Sequence, residues 1–141
     1  MAQVIEKGIF LTFDEIKILL FNMGVSEIEG VYMPEKSFSK EEIILAMHHM
    51  SDVGVIEATE EKFRIREDVK TLLAIMAYPQ QTEIWCPYGE EGPNYFLYRK
   101  EGWVVSSEQF FRKKDTLKLT MFDNESFEKW REECRNDHCR D

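Results

Sequence analysis

Near Gln81 the apolar residues stop recurring at helical spacing and begin to alternate. That single change of period constrains the fold more than any other feature of the chain. Apolar positions at i, i+3, i+4 and i+7 mark one face of a helix, whereas strict alternation marks a half-buried strand. Helices that mostly precede a run of antiparallel strands, with no regular strand–helix alternation, read as the α+β class. The reading is one domain, residues 1–141, with a helical part over 1–79 and a sheet with a last helix over 80–141.

Before the change, three helices can be placed by their ends. "LTFDEIKILLFNMG" opens with Thr12 and Glu15 at capping-box spacing and closes at Gly24, where a left-handed residue ends the helix. Phe13, Ile16, Leu20 and Met23 share a face that Leu19 and Phe21 widen, so this helix is expected to be covered from two sides. "GVSEIEGVYMPEKSF" reads as a loop with a short extended piece at Val31–Met33. Ser39 and Glu42 form a second capping box, and Ile43, Ala46, Met47, Met50 and Val53 are the expected inner stripe of the helix up to Gly54. A hairpin follows, "VIEA", the turn "TEE", then "KFRI". The third helix, "REDVKTLLAIMAY", turns Val69, Leu72, Leu73 and Met76 inward and stops at Pro79. Helix, helix, two-stranded hairpin, helix is a winged-helix-like order.

After the change, "TEIWCP", "NYFLYRK", "WVVSSEQF" and "TLKLTMF" read as strands joined by short turns, an antiparallel meander. Leu117, Leu119 and Met121 alternate with Lys118 and Thr120, which predicts one buried and one wet face. "DNESFEKWREECRN" is a final amphipathic helix with Phe127, Trp130 and Cys134 on one stripe.

Composition excludes several functions. With 43% hydrophobic and 13% aromatic residues the chain is expected to fold around a core. A net charge of −9 argues against phosphate-rich partners, which need clustered Lys and Arg. Residues 1–78 hold 8 basic and 14 acidic side chains, a balance of −6, so the winged-helix-like part would repel DNA. No secretory signal and no membrane-spanning stretch are read in the sequence, and three cysteines make no disulfide framework. A cytoplasmic protein is the expectation.

The candidate chemical groups resolve into ordinary ones. In the closing "ECRNDHCRD", Cys134 belongs to the stripe of the last helix, which leaves His138 and Cys139, too few ligands for a structural zinc. His48 and His49 point about 100° apart on a helix and do not share an ion. Adjacent carboxylates such as Glu41–Glu42 and Glu132–Glu133 read as solvated charge. No nucleophile elbow, phosphate loop or dinucleotide fingerprint is present. No catalytic residue, cofactor or metal site is therefore assigned. Eight aromatics crowd the strand region, from Trp85 to Phe111, more than one core face needs. Tyr95, Leu97 and Trp103 are accordingly taken as candidate protein-interaction residues.

The segments "FLTFDEIKILLFNMG", "SKEEIILAMHHMSDVGVI", "EEKFRIREDVKTLLAIMAYPQQTEIWC" and "TLKLTMFDNESFEKW" together resemble the EspG family, cytosolic chaperones of type VII (ESX) secretion. The resemblance covers nearly the whole chain and lies in apolar positions, so no individual functional residue is carried over. It implies an α+β fold and a non-enzymatic role in binding helical secreted proteins in the cytosol. Full members of that family contain two such units related by a pseudo-two-fold, and this chain supplies one. A homodimer through the sheet region, at edge strands or the aromatic face, is the corresponding expectation. A winged-helix transcriptional regulator with a sensing half is the alternative, and a small enzyme without a motif ranks last.

Overall fold

A computed structural model describes residues 5–58, 63–86, 94–109 and 115–140. The chain runs β1 (Ile5–Thr12), α1 (Phe13–Asn22), α2 (Lys40–Asp52), β2 (Ile56–Ala58), β3 (Phe63–Ile65), α3 (Glu67–Ala77), β4 (Gln81–Trp85), β5 (Tyr95–Lys100), β6 (Trp103–Gln109), β7 (Thr116–Asp123) and α4 (Asn124–Arg140). It is an α+β fold, with β2 and β3 paired as a hairpin and the other strands in one antiparallel sheet. The expected turn at Thr59–Glu61 lies outside the described residues.

The local signals act as the sequence predicts. Thr12 and Ser39 both form complete capping boxes, with Glu15 and Glu42 returning to the cap backbone. Strands β4 to β7 are the meander, and β5 and β6 turn through Glu101 and Gly102 at φ 49° and 85°. Positive φ at both central residues matches the twist of a two-residue hairpin.

One strand has no counterpart in the sequence pattern. β1 pairs with β7, so the sheet order is β1-β7-β6-β5-β4. The pairing slips between Ile5 and Ile9, around Gly8 at φ 79°, and a side chain there would press on Lys118 and Thr120. Four steps along β1, from Ile5 to Ile9, match two along β7, from Met121 to Leu119, so the irregularity puts two extra residues in the strand and interrupts its regular pairing. The division at residues 79 and 80 consequently marks no structural boundary, because the N-terminal segment lies in the same sheet as β4–β7.

Both sheet faces are covered, which corrects the expectation of one wet face. On one side, Ile16, Leu19 and Leu20 of α1 and Leu72, Leu73 and Met76 of α3 pack on Tyr98, Val105, Leu117, Leu119 and Met121. On the other, α4 lays Phe127 and Trp130 over Tyr95, Leu97, Val104 and Phe122. Thr120 and Ser106, on that second side, are buried. The aromatics stack as a cluster, with ring centroids of Trp85–Tyr95 at 5.3 Å, Tyr95–Trp130 at 5.1 Å and Phe122–Trp130 at 5.2 Å. Above it, Arg131 and Arg99 both reach Glu83, at 3.4 and 3.7 Å.

A candidate protein-binding groove

The aromatic sheet region is not the exposed surface the sequence suggested. Leu97 is 0% exposed and Tyr95 is buried, both beneath α4. Trp103 is half-buried on the opposite side of the sheet, packed against the other core cluster. The alternation does place Tyr95 and Leu97 together, but a last helix long enough to cover them takes them out of reach of any partner. A dimer through these residues would first have to displace α4.

Exposed apolar surface gathers instead on α1 and α2. Phe21 is 84% exposed, Leu45 70% and Ile44 46%, and Ile43 and Val53 are also exposed. Of the stripe expected to face inward on α2, only Met50 is buried, while Ala46 and Met47 are partly covered. The reason is tertiary. α2 is tied to α1 by Lys36 at its start and by His49 near its end, and among the described residues no layer covers the outer side of its N-terminal half.

Between α1, residues 36–38 and α2 lies a groove of about 450 Å³, with Ile18, Phe21, Phe38, Ile43 and Met47 as its apolar lining. Its wall is built by a loop that is fixed at several points. Lys17 donates from Nζ to the carbonyls of Pro34 and Lys36, the latter at 2.9 Å. Tyr98 donates its hydroxyl to the Glu29 carbonyl at 2.5 Å. Gly30, at φ 80°, lies so close to the Phe96 ring that an added Cβ would sit 2.6 Å from it.

Two lysines edge the groove, and both ammonium groups lie over the Phe38 ring, at 5.6 and 5.2 Å. Lys36 also bridges Asp14 at 3.0 Å and Glu42 at 3.2 Å. The hydrogen bond to Asp14, followed by that to Glu42, pushes its ammonium pKa above the usual lysine value. Glu42 is held below the ordinary carboxylate value, first by the Ser39 backbone N–H of the capping box and then by Lys36. These pairs stitch the start of α2 to the start of α1.

A second link joins the two helices at the other end of α2. Glu15 is 4% exposed, accepts the Thr12 backbone N–H at 2.9 Å through one oxygen, and contacts His49 Nδ1 at 2.5 Å through the other. The sequence pattern does not reveal this pair, because the two residues are 34 apart in the chain. The one local hint is the capping box itself, which fixes the side chain of Glu15 before any tertiary contact forms. His48 points elsewhere, with its ring edge-on to Phe63 at 6.3 Å. A cleft of about 350 Å³ beside His49 is lined mainly by Ile9, Phe10, Val53 and Val55. Among the described residues no three metal-ligating side chains gather. Cys134 is buried, and the side chains of His138 and Cys139 lie outside the described residues.

Among the described helices, none is long and apolar enough to cross a membrane. Compared with known proteins, the chain matches no family model and no curated sequence at a significant level.

Proposed function

We propose that this chain is a non-enzymatic, cytoplasmic protein-interaction domain. In this reading it acts as a chaperone of the type VII secretion kind and receives a helical secreted protein in the α1–α2 groove. The observation that carries the reading is the exposure of Phe21 and Ile43, which line the groove, on two helices that are otherwise firmly capped and ion-paired. Large apolar residues grouped on a rigid surface and edged by charge suit the apolar face of a partner helix. The regulator reading is weaker on the same surface. The helix that would enter a DNA groove presents Ile44, Leu45 and Glu41 rather than Arg or Lys.

The test is binding of a labelled amphipathic helical peptide, with leucines at i, i+3, i+4 and i+7, followed by fluorescence anisotropy. A dissociation constant in the micromolar range is expected, weakened at least ~10-fold by Phe21→Ser or Ile43→Ser, since each removes an apolar anchor. No binding by the intact chain, together with retention of random duplex DNA at low salt, would favour the regulator.

A further inference from the structure

The outward side of α2 carries a pattern that the groove does not use. At 100° per residue, Glu41, Ile44, Leu45, His48 and Asp52 fall within one arc of about 100°, and all five are exposed. Ile43, Met47 and Met50 lie on the opposite side, toward the groove and the core. The helix therefore has two working faces, one turned to α1 and the other exposed, with the Phe63 ring beside His48 at its edge.

The outward face complements itself. Suppose two copies of α2 cross antiparallel about a two-fold axis between Ile44 and Leu45. Each Ile44 then meets the partner's Leu45, and each Glu41 meets the partner's His48, because the two pairs are spaced evenly about the same centre. A two-fold contact repeats every pairing, so one match of a carboxylate with an imidazole N–H counts twice. The alternative centre, two residues further along between Ala46 and Met47, sets Glu41 against the partner's Asp52 and is rejected by like charge. The ring of Phe63, against which His48 rests, broadens the contact on its β-hairpin side.

We infer that α2 is a self-association helix, and that a second copy of this chain occupies the Ile44–Leu45 face in the register set by Glu41 and His48. This goes beyond the proposed partner groove, which lies on the other side of the same helix and stays open in the pair. It also moves the dimer contact away from Tyr95 and Leu97, which are buried. One helix of 13 residues, about 20 Å long, gives a small contact. The dimer is accordingly weak, with a dissociation constant of roughly 10–100 µM.

Sedimentation equilibrium of the full chain from about 1 to 500 µM, chosen to bracket that range, tests the inference. A monomer–dimer equilibrium is expected. Leu45→Asp and Ile44→Asp, both at exposed positions, should leave the circular dichroism spectrum unchanged and give a monomer across the range. His48→Glu should weaken the dimer at least ~10-fold, by opposing the partner's Glu41, and adding Glu41→Lys to it should restore association. A wild-type monomer throughout overturns the inference. So does a dimer that survives Leu45→Asp, which would place the contact on another surface, or a double variant that fails to recover. Peptide binding at the groove is read separately, so the two outcomes do not mask one another.

Discussion

Replacing Phe127 with alanine tests whether α4 is part of the fold or an accessory to it. The ring is 0% exposed and lies between Phe122, at 6.1 Å, and Trp130, at 5.8 Å. The guanidinium groups of Arg99 and Arg131 lie over it at 4.9 and 5.7 Å. Truncating a fully buried phenylalanine costs about 3–5 kcal/mol, from lost transfer free energy and the cavity left behind. Without the ring, both cation–π interactions disappear as well, each worth up to about 1 kcal/mol; since the positions share neighbours, the sum is not additive. We expect a loss of about 4 kcal/mol, which for a chain of this length lowers Tm by roughly 12–16 °C. Urea unfolding followed by circular dichroism and tryptophan fluorescence measures it, because Trp85 and Trp130 report directly on this side of the sheet. A single transition with an unchanged m-value is expected. A loss below about 1 kcal/mol, or separate transitions for the two probes, would show that α4 is not cooperative with the sheet. The account of a sheet buried on both sides would then be wrong.

Other perturbations read different parts of the structure. Gly30→Ala should destabilise the protein by roughly 2–4 kcal/mol in chemical denaturation, since the backbone is left-handed there and the new methyl would meet the Phe96 ring; a cost under about 0.5 kcal/mol would argue against that close approach. The Glu108 carboxyl is pushed above its ordinary pKa by burial, with Lys118 opposing the shift. A raised carboxyl contributes fully below its unfolded pKa and loses that contribution as pH rises through its higher folded one, so Glu108→Gln should raise Tm at pH 7 but not near pH 4. The Tyr98 hydroxyl is pushed well above its usual value, by burial first and then by Glu29. Its share of stability should therefore disappear only in strong alkali, above the unfolded tyrosine value, and Tyr98→Phe should flatten the alkaline limb of a stability–pH profile. With a thiol reagent, exposed Cys86 should label quickly and buried Cys134 only on unfolding; fast labelling of Cys134 in the native protein would contradict its packing.

The sequence alone determined the elements that depend on neighbours in the chain. Both capping boxes, the stop at Pro79 and the β4–β7 alternation are local matters of hydrogen bonding and period, so they could be read without a fold. Cys134 could be placed for the same reason, as a member of the Phe127–Trp130 stripe. What lies across the fold could not be read. β1 was concealed because Glu6, Lys7 and Gly8 split its apolar residues, and only pairing with β7 joins Ile5 and Ile9–Leu11 into one strand. Thr120 read as a wet position, since a hydroxyl carries no mark of whether a helix will later cover it. Burial also reversed the two surface expectations. Tyr95 and Leu97 resemble a binding face until α4 closes over them, and Ile43 resembles a core residue until it is clear that no described layer covers the start of α2. Glu15 and His49 meet only because α2 folds back on α1, and a contact between distant residues is fixed by that packing and not by their own neighbours in the chain.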